Sequence, residues 1–335
     1  MERNVRWGIL GASRMAAVML PNIVEAKGSE LVAVASRRPG AARRLVEPFS
    51  PQLLDRVRCY DTPEDLLQDP HVDAVYLPMA NEEHGEWGVK VLQAGKHVLI
   101  EKPLALKPEE VSAIRKEAER RGLKVMEGFM YRFHPQHRRV WELIGEGLVG
   151  EVRAVYATFS FPMVPARLYR ISRPIERGGG ALWDVGCYAV HAARWFFENG
   201  PKRAVGYFKL NQHGADTMDD GLLDFGDGRV AHLRFGFEQA RKAEYQIIGT
   251  EGGITCHNVW AKPNEIPLIS WWQMNGRRGE EVLPPANHFR LEIEHFADSL
   301  LNDHEPLLSL SDAEENCRVL NALLQAMREE KVVVL

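Results

Sequence analysis

The sequence predicts two domains of different class. An α/β Rossmann domain, a doubly wound parallel sheet, is expected over residues 1–125. An α+β domain with a large, open-faced, mainly antiparallel sheet is expected over 126–335. Three observations predict this. Short apolar runs alternate with amphipathic stretches of helix length through the first part of the chain, which implies right-handed βαβ crossovers and a parallel sheet covered on both faces. A glycine-led turn, Gly11-Ala12-Ser13-Arg14-Met15-Ala16, joins the first apolar run to the first helix. From Val205 to Leu283, β-type stretches follow one another with only turns between them, which implies antiparallel hairpins.

In chain order, Val5-Arg6-Trp7-Gly8-Ile9-Leu10 reads as a buried strand, followed by a helix from about Arg14 to Ala26. Leu31–Ala35 is a second strand and Ala41–Val46 a short helix. Thr62-Pro63-Glu64-Asp65 combines a capping Thr, a Pro at the first helical position and an acid three residues on, so a helix begins there. Val72–Leu77 and His97–Ile100 are further strands, separated by a helix ending near Gly95. Pro108 opens a helix whose Val111, Ile114 and Ala118 share one face, and Lys124–Gly128 is the last strand of the run. Beyond it, Pro135–Glu146 and Ala181–Phe197 read as helices. Leu222–Phe237 contains the hairpin signal Gly226-Asp227-Gly228, with Leu233, Phe235 and Phe237 on one face. Gly252-Gly253 marks another turn. Ser311-Asp312-Ala313-Glu314 is a capping box for a final helix running to about Arg328.

A chain of 335 residues can bury a core that needs neither disulfide nor metal. Its 42 Lys and Arg against 46 Asp and Glu leave a formal charge of -4, with the signs mixed along the chain. Nucleic acid and anionic membrane are therefore not the expected partners. The four cysteines, Cys59, Cys187, Cys256 and Cys317, lack CxxC or CxxH spacing, which argues for a reducing compartment. No apolar run approaches the roughly 18 residues of a membrane helix. The first apolar strand begins without a signal-peptide pattern. A cytoplasmic setting is expected. A metal site is not: none of the 12 His forms HExxH, and His134-Pro135-Gln136-His137 holds its pair beside a Pro.

The Gly11 turn resembles the dinucleotide fingerprint G-x-G-x-x-G/A, in which glycines allow the turn and the pyrophosphate's approach, and the helix N-terminus supplies amides and a positive dipole. Gly11 and Ala16 fit, Ser13 replaces the second Gly, and Arg14 and Met15 lie between. An NAD site places an acid at the end of the second strand. Here Ser36-Arg37-Arg38 stand there, and guanidiniums suit a 2′-phosphate. NADP is the expected cofactor, with NAD the alternative.

Glu101-Lys102-Pro103 follows the fifth expected strand, beyond whose C-terminal end ligands bind in such sheets. Gly178-Gly179-Gly180 feeds a helix on which Asp184, Tyr188 and His191 fall at i, i+4 and i+7, on one face. Polar groups there are costly to bury without purpose, and the three glycines let the helix N-terminus approach a ligand.

Together, Gly11-x-Ser13-x-x-Ala16, Glu101-Lys102-Pro103 and Gly-Gly-Gly-x-Leu-x-Asp184-x-Gly186-x-Tyr188 resemble the motifs of the Gfo/Idh/MocA oxidoreductases. Asn81-x-x-His84 and Phe129-Met130-Tyr131-Arg132-Phe133-His134-Pro135 extend the match over nearly the whole chain. Tyr188 stands where many members carry His. This is similar to the branch of glucose–fructose oxidoreductase, dihydrodiol dehydrogenase and NADP-dependent D-xylose dehydrogenase. The resemblance implies a catalytic pair, Lys102 and Tyr188, with Asp184 orienting substrate or pair. It implies cofactor contacts at Asn81, His84, Glu101, Lys102 and Arg132 and a substrate contact at Tyr131, while Arg170 is a substrate candidate from its place in the loop before the three glycines, where Arg170-Ile171-Ser172-Arg173 departs from the branch's Asn-x-Arg. It implies hydride transfer between nicotinamide and a CH-OH carbon of a sugar, polyol or dihydrodiol, in a homodimer or homotetramer joined through the C-terminal sheet. A nicotinamide-dependent glycosidase of the same family and a non-catalytic NADP-sensing regulator are the alternatives. The regulator predicts loss of the Lys or of the Asp/Tyr pair, and this chain keeps both. Trp271-Trp272 fits either a sugar platform or an interface, and Arg167 and His191 fit two roles likewise.

Overall fold

The alternating N-terminal pattern builds a six-stranded sheet in the computed structural model, which describes residues 3–197, 199–260 and 265–335. Its elements are β1 (Val5–Leu10), α1 (Arg14–Glu25), β2 (Ser29–Ala35), α2 (Ala41–Val46), β3 (Arg58–Tyr60), α3 (Pro63–Gln68), β4 (Ala74–Leu77), α4 (His84–Gln93), β5 (His97–Glu101), α5 (Pro108–Arg121) and β6 (Val125–Gly128). The strand order is β3-β2-β1-β4-β5-β6, with every pair parallel. The chain changes direction across the sheet between β1 and β4, the switch point beyond which such sheets bind ligands. Helices on both faces explain the unbroken apolar runs: Ile9, Leu10, Val75, Leu77, Leu99 and Ile100 are fully buried. Thr62 caps α3, its Oγ1 accepting from Asp65 N–H at 3.2 Å. β3 is not among the expected strands. Its three residues lie at the sheet edge and none is buried, so no apolar run marks it.

A second sheet, nine-stranded among the described residues, follows α6 (Pro135–Gly145). β7 (Val152–Ser160) comes first, then a π-helical turn at Leu182–Gly186 running into α7 (Cys187–Trp195). The remaining strands are β8 (Arg203–Leu210), β9 (Asp216–Gly226), β10 (Arg229–Gly236), β11 (Lys242–Gly249), β12 (Gly252–His257), β13 (Leu268–Gln273) and β14 (Arg278–Val282). β10 and β7 pair in parallel and the other pairs are antiparallel. β9 and β10 join through Asp227 and Gly228 at φ 54 and 74, the left-handed pair that a two-residue hairpin requires. Gly252 and Gly253 do not turn the chain. They open β12, and the bend falls at Thr250–Glu251. β7, near the middle of the sheet, was not expected, although Val155, Ala157 and Phe159 alternate inward past an exposed Tyr156. Ala231, Leu233 and Phe235 of β10 and Leu223 and Phe225 of β9 complete that inner face. The outer face is polar: Tyr156 stacks on His232 at 4.6 Å, and Arg234 pairs with Asp220.

α8 (His288–Leu301) packs on α1, β1 and β2. Ile293, Phe296 and Ala297 are fully buried, and the Phe296 ring lies 5.8 Å from that of Trp7. The first compact unit therefore comprises residues through Met130 together with His288–Glu314, and the second comprises Tyr131–Asn287 and Glu315–Leu335. This replaces a single cut after residue 125. α9 (Leu310–Glu329) begins before the expected capping box, with Ser309 Oγ accepting from Asp312 N–H at 3.2 Å. Ser311 and Glu314 bind Arg115 instead, at 3.3 and 2.5 Å. Leu323 and Met327 of α9 sit over Gly206 of β8, and β15 (Val333–Val334) closes the sheet edge beside it. Among the described residues no helix is long and apolar enough to cross a membrane.

Candidate active site

β1 ends at Leu10, and Gly11 turns the chain at φ 128 while its N–H donates to Ala35 O at 2.9 Å. Ser13 is the N-cap of α1, its Oγ accepting from Ala16 N–H at 3.2 Å. Arg14 is exposed and Met15 half-buried. The first turn of α1 carries no acid, so its positive end is uncompensated, a setting suited to an anion. At the end of β2, Ser36 is buried and its Oγ accepts from Arg38 N–H at 3.2 Å. Arg38 reaches back to the glycine turn, its Nη2 donating to Ala12 O at 2.6 Å. Arg37 points elsewhere and is held by both oxygens of Glu83, at 2.6 and 2.9 Å. These residues fit a dinucleotide: a helix N-terminus for the pyrophosphate, a guanidinium beside it, and no acid where a 2′-phosphate would stand.

At the ends of β4 and β5, Asn81 opens a short 3₁₀ turn and is half-buried. Lys102 directly follows β5 and is half-buried, with a cis peptide to Pro103. His84 and Glu101 are both buried, Glu101 directly before Lys102 in the chain. His84 is fully buried, with Nδ1 2.7 Å from Pro103 O and Nε2 3.1 Å from Met79 O. Burial holds its imidazole below the usual range, so it has one N–H to share between two carbonyls. Glu101 is buried and accepts from Tyr76 O–H at 2.6 Å. Both tie down the backbone around Lys102. Glu292 of α8, absent from the sequence reading, is also buried, and burial followed by the charge of Glu101 pushes its carboxyl well up.

In the second unit, Asp184 lies in the π-helical turn, where Cys187 N–H returns five residues to Leu182 O. The wider turn shifts Asp184 from the single stripe with Tyr188 and His191 that uniform α-helical spacing predicts. Asp184 forms an ion pair with Arg170, which outweighs the burial opposing that arginine's charge. Tyr188 is 6% exposed, its ring 5.6 Å from Phe159, 6.0 Å from Tyr131 and 6.1 Å from Trp260. His191 is buried, with Nδ1 2.5 Å from the Tyr131 hydroxyl. Tyr131 itself has no exposed surface, and its hydroxyl and ring lie against the helix that carries Tyr188. The Arg132 guanidinium lies 3.6 Å over the Trp195 ring. Arg167 lies over Phe161 at 5.2 Å. Among the described residues no group of three or more His, Cys, Asp or Glu is placed to hold a metal ion.

Two family models match the chain. One, described as the oxidoreductase family with an NAD-binding Rossmann fold, covers residues 5–129, and the other, the GFO/IDH/MocA C-terminal domain, covers 137–255. A dTDP-3,4-didehydro-2,6-dideoxy-alpha-D-glucose 3-reductase of Actinomadura kijaniata is 31% identical over 328 residues, spanning 97% of this chain and 96% of that one. A D-xylose 1-dehydrogenase (NADP(+)) of Haloferax volcanii is 30% identical over 320 residues, spanning 96% of each. A crystal structure of a 3-ketoreductase from Actinomadura kijaniata, in complex with NADP and TDP-benzene, superposes with a TM-score of 0.89 at 30% identity, covering 97% of this chain and 98% of that one.

Proposed function

The chain belongs to the GFO/IDH/MocA oxidoreductase family, and on that premise we propose that it is an NADP-dependent dehydrogenase or reductase acting on a CH-OH or carbonyl carbon of a sugar, polyol or dihydrodiol. Relatives named for a dTDP-linked ketosugar and for D-xylose support the substrate class. The observation that carries the cofactor reading is the end of β2, where Ser36, Arg37 and Arg38 stand in place of an acid and Arg38 lies on the Gly11–Ser13 turn. NADP would be held by Gly11, Ser13, Arg14 and Met15 at the pyrophosphate, by Ser36 and Arg38 at the 2′-phosphate with Arg37, tied to Glu83, contributing less, and by Asn81 and Lys102 towards the nicotinamide. When bound, it supplies the hydride acceptor or donor.

The chain's own part is placement and proton transfer. Tyr188 exchanges the proton of the reacting hydroxyl. Lys102 acts with it, because a nearby ammonium favours the phenolate and stabilises an alkoxide as it develops. Asp184, steered by Arg170, accepts from a neighbouring substrate hydroxyl. The aromatic rings around Tyr188 limit water at the phenol and fix its direction. A homodimer or homotetramer through the outer face of the nine-stranded sheet completes the proposal, and light scattering checks it. The decisive experiment is a panel of aldoses, polyols, dihydrodiols and nucleotide-linked ketosugars with NADP(H) and NAD(H), followed by nicotinamide absorbance. Turnover with NADP(H) on part of the panel is expected. No turnover throughout, with no rise in melting temperature on adding NADP, refutes the reading.

A further inference from the structure

The third glycine ahead of α7 makes room for a carboxylate of the chain itself. Gly180 has φ +93, and a Cβ there would stand 1.7 Å from Asp216 Oδ1. Without it, fully buried Asp216 reaches the first amides of the π-helical turn. Its Oδ2 accepts from Leu182 N–H at 2.5 Å, and Ala181 N–H is a further donor.

Asp219 follows three residues along β9, where strict alternation would send it to the other face. The register skips Thr217: Asp216 pairs with Leu210, Met218 with Lys209 and Asp219 with Phe208. That extra residue is a bulge, and it brings both carboxyls inward, at 0% and 1% exposure. Neither oxygen of Asp219 receives a hydrogen bond from an amide or a cation, and its neighbour is Asp216. Two carboxyl groups in contact can bond to each other when one is protonated.

We propose that Asp216 and Asp219 share one proton and act as a positioning clamp on the turn that presents Asp184 and Tyr188, a role that rests on the catalytic assignment above. Asp216 keeps its charge at a helix N-terminus, where amides and dipole favour it. Asp219 holds the proton and donates it to Asp216. Burial pushes the Asp219 carboxyl well above the usual range and the Asp216 charge adds to this. Burial also raises Asp216, against the pull of its hydrogen bonds. The surrounding charges are engaged elsewhere: Asp220 with Arg234 of β10, Lys209 of β8 with Glu238, and Asp184 with Arg170. Among the described residues no Lys or Arg pairs with either carboxyl. A single π turn is an uncommon, functional-site feature of helices, and the clamp fixes this one from below.

Two variants separate the shared proton from bulk. Asp219→Asn keeps a donor towards Asp216, whereas Asp219→Leu keeps the branching at Cγ, with more bulk, and removes the donor. The Asn variant should turn over like wild type. The Leu variant should lose roughly 10- to 100-fold in kcat, with little change in KM and an unchanged rise in melting temperature on adding NADP. Because Asp219 binds its proton more tightly folded than unfolded, its contribution to wild-type stability is full below the ordinary carboxylate range and is lost as pH rises above it. Asp219→Asn has no such proton, so its melting temperature should fall less as pH rises above that range. Equal pH slopes in wild type and Asp219→Asn, or wild-type kcat in Asp219→Leu, would overturn the proposal. If Asp219→Leu does not fold, the Asn comparison still decides. A wild type without NADP-linked turnover would end the catalytic reading, while the melting curves would still test the shared proton.

Discussion

Arg38→Ala removes the cation that stands 2.6 Å from the Ala12 carbonyl, beside the start of α1. A charge-assisted hydrogen bond to a phosphate contributes about 1.5–3 kcal/mol. Arg38 is exposed, so salt and solvent draw its share towards the lower end, about 1.5–2 kcal/mol. That corresponds to roughly a 10- to 30-fold rise in KM for NADP, with KM for NAD unchanged. Arg37 provides the internal comparison. Both of its terminal nitrogens already face Glu83, which offsets most of its field, so Arg37→Ala should cost less than Arg38→Ala. Initial rates with each nucleotide at two salt concentrations measure both effects, and the Arg38 effect should shrink at the higher salt. An unchanged NADP-to-NAD preference in Arg38→Ala, or a larger loss in Arg37→Ala, would refute the assignment of the 2′-phosphate to Arg38.

Three further substitutions probe the chemistry and its support. Lys102→Met should lower kcat by about 10²–10³, while NADP still raises the melting temperature. Tyr188→Phe keeps the ring among Phe159, Tyr131 and Trp260 and so should leave the melting curve nearly unchanged. Its kcat should fall by about 10²–10⁴, and wild-type turnover would assign the proton to another group. Gly180→Ala places a Cβ 1.7 Å from Asp216 Oδ1 at a positive φ. Denaturant unfolding should register a loss of about 3 kcal/mol or more, and near-native stability would mean that the carboxylate readily gives way.

The elements that could be read in advance are those whose burial is written into residue order. β1, β4 and β5 are covered on both faces and appear as unbroken apolar runs, and the glycine turn announces itself at the first strand-to-helix junction. β3 is too short and too polar to leave such a trace. α8 escaped because His288, Glu292 and Ser299 lie among its buried residues and dilute the apolar period. The bulge at Thr217 changes the phase of β9 without changing its composition, so strict alternation would set Asp216 and Asp219 on opposite faces. At the site, chain order alone put Lys102 at the tip of a parallel strand. For His84 and Tyr131, motif membership did not show their partners within the fold, because those are a carbonyl and an imidazole elsewhere in the chain.

Such partners also bear on how the polar residues of the Tyr188 segment are understood. Polar groups on that segment are costly to bury without purpose, and each neighbour of Tyr188 has a partner within the fold. Asp184 takes Arg170, His191 takes the Tyr131 hydroxyl, and the amides at the start of the turn take Asp216. Tyr188 thus sits between an amide bound to Asp216 six residues before it and a hydrogen bond three residues after it, with aromatic rings around its own. A phenol that must meet a reacting oxygen within a few tenths of an ångström needs its backbone held at both ends. Buried polar contacts hold it more directionally than apolar packing does, because each has one favoured geometry and a large cost when broken.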